Sequence, residues 1–222
     1  MPTPEMKLRQ AMIDSCKKMN DTDLNQGTSG NISVRRGKKM LITPSAIAYD
    51  EMRPRMIASM PIDKDYGAWQ GPKAPSTEWR FHLDIMRDRD DVGAIVHLHP
   101  PYATAVAINR KAIPACHYMI AAFGGNTIRC SGYARYGTKT LSRLALKALK
   151  DRHGCLLANH GMIALGTDLN QALWRAVELE TIAKHYMLSL QIGKPVILSK
   201  KEIQKTMKGF ETYGVQPQKP AY

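Results

Sequence analysis

The chain has 222 residues, 44% of them apolar, and a formal net charge of +13 from 32 Lys and Arg against 19 Asp and Glu. This length and apolar content fit one globular domain, and they exclude a disordered chain and a small scaffold that depends on disulfides. The basic residues are scattered, and the densest clusters, at 35–39 and 200–208, contain no interleaved aromatic side chain. The charge therefore indicates a solvated surface that attracts anionic substrates, and it does not predict a nucleic-acid groove.

Nothing in the sequence indicates a membrane or an oxidising compartment. No uncharged run is apolar enough to span a bilayer, and the first ten residues lack the apolar core of a signal peptide. The four cysteines, at 16, 116, 130 and 155, have neither metal nor redox spacing, so we expect reduced thiols. These features predict a cytoplasmic protein with neither a membrane nor a nucleic acid as partner.

Helices and strands are expected to alternate along the chain. Apolar spacing and capping signals predict helices over 7–20, from 75–78 onward, from 101 onward, over 138–152, from 168 to 192 and from 199 onward. Short apolar runs predict strands over 32–35, 40–43, 94–98, 154–159 and 162–165, whereas residues 50–75, with four prolines and two glycines, are expected to be loop. The pattern predicts a single α/β domain with a mainly antiparallel sheet flanked by helices.

Three histidines form a candidate metal site. His97 and His99 are two residues apart on an expected strand, so their side chains point to the same side. His160 lies in the ANHG segment, on a second strand or at its end. Three imidazoles with an open position are what catalytic zinc requires. His-x-His alone is a weak signal, so spacing leaves ordinary polar histidines open as the alternative.

Two further features are ambiguous from position alone. Glu78 stands at a helix start, where an acidic residue complements the helix dipole, but beside a metal ion it would be a general base. The GTSGN segment at 27–31 can collect backbone N–H groups into an anion-binding nest, and Ser76 and Thr77 can add donors to the same anion. Taken alone, these segments are more often an ordinary tight turn and a helix cap.

In this order, the segments resemble the class II aldolase and adducin family, and most of all its sugar-phosphate aldolases. The matching stretches are NQGTSGNISVR, MLITPSAIAY, PSTEWRFH, VGAIVHLHPPYATAVA, IPACHYMIAAFGGNTI, the GT of RYGTKTL, ANHGMIAL and FETYG. They run from residue 25 to residue 214. Any one stretch is weak, but the full series is specific to the superfamily.

The resemblance implies a role for individual residues. His97, His99 and His160 match zinc ligands, Glu78 matches a catalytic acid or base, and Tyr118 matches a proton donor that reaches the site of a neighbouring subunit. The positions that match phosphate and substrate contacts are Thr28, Asn31, Ser45, Ala46, Ser76, Thr77 and, on a C-terminal tail that helps close the site, Tyr213. The implied cofactor is one Zn²⁺ per chain, with Co²⁺ or Mn²⁺ as alternatives.

The resemblance also implies a fold and a reaction. The fold is a three-layer α/β/α domain over residues 1–222, with a mobile tail from about 212, and the assembly is a homotetramer with active sites at subunit interfaces. The reaction is reversible cleavage of a ketose 1-phosphate, such as L-fuculose 1-phosphate, to dihydroxyacetone phosphate and an aldehyde. A same-fold decarboxylase, dehydratase or epimerase stays open, and a non-catalytic adducin-like module is less favoured because all the histidines, Glu78 and Tyr118 are present.

Three departures from the family pattern concern the substrate rather than the chemistry. Ala46 stands where related sequences have glycine, so a methyl group crowds the anion and a positive φ is disfavoured. Tyr136 stands where a phenylalanine lines the aldehyde side. Residues 52–73 match poorly.

Overall fold

The computed structural model describes residues 2–210. The helices of this part are α1 (Pro4–Asp21), α2 (Trp79–Asp88), α3 (Pro101–Ile108), α4 (Lys139–Leu149), α5 (Leu169–Ile192) and α6 (Lys200–Phe210). The strands are β1 (Asn31–Arg36), β2 (Lys39–Ile42), β3 (Ala58–Pro61), β4 (Ala94–Leu98), β5 (Ile113–Pro114), β6 (Thr127–Cys130), β7 (Gly154–Leu157) and β8 (Gly161–Gly166).

All eight of these strands join one sheet in the order β3-β2-β1-β4-β8-β7-β6-β5. Every neighbouring pair is antiparallel except β6 and β7. The predicted, mostly antiparallel sheet is therefore confirmed. The central strands β1, β4 and β8 carry or adjoin the residues of interest, so the site sits at the middle of the sheet rather than at an edge.

Strand β4 separates the two cores of the domain. Its Val96 and Leu98 pack with residues of α1, α3, α5 and α6, whereas Ile95 packs with residues of α2 and α4. Alternate side chains of a strand point to opposite faces, so helices cover both faces of the sheet. This arrangement confirms the three-layer α/β/α fold.

Side-chain caps fix the starts of two helices where the sequence predicts them. The Asp168 carboxylate accepts a hydrogen bond from the Gln171 N–H at the start of α5, at 2.8 Å. Ser199 Oγ accepts one from the Glu202 N–H at the start of α6, at 3.1 Å. Each cap satisfies a backbone donor that the first turn of a helix leaves without a partner.

The prediction of a loop over residues 50–75 is wrong in part. This stretch contains a short 3₁₀ helix, Pro54–Met56, and strand β3, which pairs with β2. Strand β3 lies at the edge of the sheet and ends in a proline, which an edge strand tolerates because one side of it needs no N–H donor. The short strands β5 and β6 were also missed, since such brief segments have no periodicity to detect.

No helix within residues 2–210 is both long enough and apolar enough to cross a membrane.

Candidate active site

A cavity of about 420 Å³ opens where loops meet above the central strands. Its walls come from the loop before β1, the segment after β2, the start of α2, the residue after β4, the loop after β6 and the β7–β8 turn. The predicted site residues that line it are Thr28, Asn31, Ser45, Ala46, Ser76, Thr77, Glu78, His99 and His160. The structure therefore gathers into one cavity residues that are spread over more than half of the chain.

The three candidate ligand histidines meet at one end of this cavity. His97 lies on β4 and His99 just beyond it, and their Nε2 atoms are 3.0 Å apart. His160 lies in the tight turn between β7 and β8, and its ring centroid is 4.8 Å from that of each other histidine. The prediction that the two histidines of the His-x-His pattern point to the same side is therefore confirmed.

A close approach of two strands brings His160 to the other histidines. Strand β8 pairs with β4 in a register that sets Leu98 opposite Met162. A Cβ atom on Gly161 would lie 2.3 Å from the carbonyl oxygen of Leu98 and 2.6 Å from Cδ2 of His99. Glycine is needed here because no larger residue fits between the two chains.

Glu78 lies among the histidines and is only 5% exposed. Its Oε2 is 3.0 Å from His97 Nε2 and accepts a hydrogen bond from Asn31 Nδ2 at 3.1 Å, and its Oε1 is 3.3 Å from His160 Nε2. The predicted hydroxyl N-cap is wrong, because Glu78 itself is the N-cap of α2 and Ser76 Oγ accepts a hydrogen bond from the Glu78 N–H. The N-terminal end of α2 thus places the Glu78 carboxylate among the histidines.

The protonation states of the cluster follow from burial and charge. Burial and the neighbouring charge of His97 lower the pKa of His99 to about 3 and that of His160 to about 4. Burial raises the pKa of Glu78, but His97, His160 and Asn31 more than offset this effect and hold it well below its usual range. Near neutral pH an ionised carboxylate therefore faces two neutral imidazoles.

The donor set fits a divalent metal ion. One ligand atom from each of Glu78, His97, His99 and His160 lies within 4.8 Å of the other three. His97 Nδ1 lies 2.8 Å from the carbonyl oxygen of Met162, which only accepts hydrogen bonds, so Nδ1 carries a proton and Nε2 is the ring nitrogen that faces the cluster. A backbone carbonyl that orients a ring in this way is typical of metal-binding histidines.

Residues with hydroxyl groups also form part of the wall of the cavity. Thr28, Ser45, Ser76 and Thr77, for which the resemblance implies phosphate contacts, are among the residues that line it. Among the described residues that line the cavity, none is a lysine or an arginine. An anion on this wall would be held by neutral donors, which is the chemistry of a backbone nest and a helix start.

Ala46 adopts the left-handed conformation that its side chain disfavours, with φ of +54°. An L residue with a Cβ atom pays roughly 1–2 kcal/mol for this region, whereas glycine enters it freely but loses more chain entropy on folding, roughly 0.5–1 kcal/mol. We expect Ala46→Gly to raise the free energy of unfolding by up to about 1 kcal/mol, as measured by urea denaturation.

Ala48 provides the matched control for this prediction. It is an exposed alanine two residues further along the same loop, and it is not among the residues with positive φ. Ala48→Gly should lower stability slightly, by roughly 0.5–1 kcal/mol, because it adds chain entropy without relieving strain. Equal changes in the two variants would show that Ala46 is not strained.

Of the predicted site residues that the structure describes, His97 and Tyr118 do not line this cavity, although His97 contacts Glu78 and His99, which do. Tyr118 begins a 3₁₀ helix, Tyr118–Phe123, and is 50% exposed, with its ring next to that of His117. It does not line the cavity of its own chain. Tyr213, and the tail that was expected from about residue 212, lie outside the described residues.

The cavity also contains residues that sequence analysis did not assign, including Tyr133 and Asn159. Tyr136, whose position the resemblance relates to the aldehyde side, lines it as well and is 62% exposed. Asn159 has a φ of +53°, and its Oδ1 accepts a hydrogen bond from Arg110 Nε at 2.8 Å. The turn-forming ANHG segment is the signal that could have identified Asn159, because asparagine tolerates this conformation better than most residues.

Comparisons with known proteins agree with this geometry. Residues 10–187 match the family model described as the Class II Aldolase and Adducin N-terminal domain. A 5-methylthioribulose-1-phosphate/5-deoxyribulose-1-phosphate aldolase of Rhodospirillum rubrum is 47% identical over 100% of this chain and 99% of its own. The L-fuculose phosphate aldolase of Escherichia coli K12 is 46% identical over 95% of this chain and 97% of its own.

A solved structure gives the same result. An L-fuculose 1-phosphate aldolase superposes with a TM-score of 0.89 at 39% sequence identity, covering 95% of this chain and 98% of that chain. The chain therefore belongs to the class II aldolase and adducin family, and it is an enzyme of the carbon–carbon lyase type.

Proposed function

We propose that this enzyme reversibly cleaves a ketose 1-phosphate to dihydroxyacetone phosphate and an aldehyde, with the help of one bound Zn²⁺ per chain. The single observation that supports it most is the composition of the cavity. The same space holds an ionised carboxylate, a cluster of imidazoles and a wall of hydroxyl donors. A phosphorylated substrate with a carbonyl group matches these three features.

His97, His99 and His160 would hold the ion, and Zn²⁺ is the first choice for three imidazoles, with Co²⁺ or Mn²⁺ as alternatives. Such an ion supplies Lewis-acid stabilisation for the negative charge that develops beside the substrate carbonyl. The neutral state of His99 and His160 leaves their nitrogen lone pairs available for it.

Glu78 would transfer the proton at the carbon that becomes part of dihydroxyacetone phosphate. In condensation its carboxylate removes this proton, and in cleavage it returns it. Oε2 is held by Asn31, whereas Oε1 is buried beside His160 Nε2, at 3.3 Å, and has no hydrogen-bond partner among the described residues. The carboxylate is therefore anchored through Oε2, and Oε1 is the oxygen without a hydrogen bond.

The hydroxyl wall would hold the phosphate group, which does not react. Thr28, Ser45, Ser76 and Thr77, with the backbone N–H of Ala46, are the donors, and Tyr213 of the tail would help to close the site. Binding energy from a remote phosphate can orient the reacting carbons against Glu78. The positive net charge of the protein favours the approach of such a substrate.

Tyr118 would act at the second reacting centre, the hydroxyl group of the aldehyde fragment. Because its ring is half exposed and lies outside the cavity of its own chain, this role requires a neighbouring subunit. We therefore propose a homotetramer of single-domain chains, spanning residues 1–222, with active sites at the subunit interfaces.

Two substrate types fit about equally well. The relatives compared above act on 5-methylthioribulose 1-phosphate or 5-deoxyribulose 1-phosphate in one case and on fuculose phosphate in the other, according to their names, and their identities differ by one percentage point. Tyr133 and Tyr136 line the cavity as exposed aromatic rings, and we propose that they contact the distal end of the substrate.

A coupled assay tests the reaction and names the substrate. Zinc-loaded protein is given L-fuculose 1-phosphate, 5-deoxyribulose 1-phosphate and 5-methylthioribulose 1-phosphate, and release of dihydroxyacetone phosphate is followed with and without a chelator. Chelator-sensitive release from one of them is expected. Bound zinc without release from any would favour a decarboxylase, dehydratase or epimerase, and absence of both would favour a non-catalytic module.

A further inference from the structure

A chain of hydrogen bonds runs behind the cavity wall from Ser33 through His82 and Asn31 to Glu78. Ser33 Oγ lies 2.7 Å from His82 Nδ1, His82 Nε2 lies 2.5 Å from Asn31 Oδ1, and Asn31 Nδ2 lies 3.1 Å from Glu78 Oε2. Asn31 and Ser33 are alternate residues of β1, and Glu78 and His82 are one helical turn apart at the start of α2. The strand and the helix thus present matching pairs of polar groups.

The direction of these bonds follows from which atoms can donate. An amide oxygen only accepts, so His82 Nε2 must carry a proton and donate it to Asn31 Oδ1. Burial lowers the pKa of His82 to about 3, so the ring is neutral and its Nδ1 accepts from the Ser33 hydroxyl. The Asn31 amide nitrogen then faces the carboxylate. Every donor in the chain therefore points toward Glu78.

The alternative orientation of the Asn31 amide is unfavourable at both ends. A flipped amide would turn its N–H groups toward the Nε2–H of His82 and its oxygen toward the Glu78 carboxylate. With the proton of His82 on Nε2, the first pair would place donor against donor, and the second would place acceptor against acceptor, in a region where buried polar groups without partners are costly. The Nε2–H of His82 and the Glu78 carboxylate therefore favour the same orientation of Asn31.

We propose that His82 is a positioning residue, which uses its Nε2–H to hold the Asn31 amide in the orientation that anchors Glu78. This inference rests on the proposed acid or base role of Glu78. His82 is fully buried and does not line the cavity, so it does not touch the substrate. It acts through Asn31, which holds Oε2 of the Glu78 carboxylate.

Two variants of similar shape test this role. His82→Gln keeps an N–H donor near the position of Nε2, whereas His82→Met places a methyl group there. We expect His82→Met to lower kcat by about 10- to 100-fold, the usual effect of removing a group that orients a functional residue, with KM changed by less than about threefold. His82→Gln should restore most of the lost kcat. Equal loss in both variants, or no loss in His82→Met, would overturn the proposal.

Leu83→Ala is the control for a general loss of packing. Leu83 is the next residue of the same helix, is fully buried and makes no contact with the cavity. Its truncation should lower the melting temperature without lowering kcat. If kcat falls with the melting temperature in this variant as it does in His82→Met, the role of His82 is only structural.

A measurement without turnover separates this inference from the proposed reaction. In ¹⁵N-labelled wild-type protein at pH 7, the ring of His82 should show a protonated Nε2 and an unprotonated Nδ1, and the Asn31 side-chain amide should keep its resonance in His82→Gln and shift in His82→Met. An Nδ1-protonated ring would contradict the proposal. These NMR measurements do not depend on cleavage of a ketose phosphate. The tautomer of His82 is measured in the wild-type protein, so it can be determined even if neither variant folds.

Discussion

Glu78→Gln is expected to abolish nearly all turnover and to leave the bound metal in place. The amide has the same shape as the carboxylate, and its oxygen can still accept the hydrogen bond from Asn31. It cannot accept and return a proton, however, and general acid–base catalysis contributes about 10²–10⁴-fold. We expect kcat to fall by about 10³-fold with zinc still at one ion per chain, measured by steady-state kinetics and metal analysis.

A half-reaction isolates the role of this carboxylate. Wild-type enzyme is given dihydroxyacetone phosphate in deuterated water without an aldehyde. The carbon-bound proton of the substrate that Glu78 removes should be replaced by deuterium, and Glu78→Gln should not catalyse this exchange. Glu202→Gln is the control, because it removes a carboxylate from the first turn of another helix, and Glu202 lies outside the cavity. Undiminished exchange in Glu78→Gln would assign the proton transfer to another residue.

The fold was predictable where the sequence carries a strong local pattern. Strand β4 was predicted with its observed bounds because it is an apolar run that the sheet buries on both faces. Helix α5 was predicted from its Asp168 cap and the long apolar repeat that follows. Strands β3 and β5 were missed, because their formation depends on neighbouring strands and their own residues include prolines.

The candidate site was predictable in its reactive groups and not in its supporting ones. The spacing of His97 and His99 on a strand predicts that both point the same way. His160 and Glu78 are candidates from their positions, and the resemblance assigns them a role. The hydrogen bond between Asn31 and His82 depends on how α2 packs against β1, which no local pattern specifies. Tyr118 is a different case, since its proposed partners belong to another copy of the chain.

His99→Ala is expected to remove the metal, and this is the second large effect. His99 supplies one of three nitrogens, and its Nε2 is only 3.0 Å from that of His97. The two imidazoles left cannot complete the three-nitrogen set that catalytic zinc requires. We expect metal affinity to fall by at least about 100-fold and aldolase activity to fall to background. This loss is larger than the one that follows when a residue that only hydrogen-bonds to a metal ligand is removed. Dialysed protein would be measured by metal analysis and by zinc titration.

His153→Ala distinguishes loss of a ligand from loss of any histidine. His153 is partly buried, its pKa is lowered to about 4 by burial and by neighbouring arginines, and it does not line the cavity. This variant should retain one zinc per chain even if its stability falls. A His99→Ala protein with full metal content and full activity would show that the ligand set is wrong. Loss of metal from His99→Ala with a native circular dichroism spectrum would support the ligand set. It would also show that the fold around the cluster does not depend on the ion. The pairing of β4 with β8 already brings His99 and His160 together.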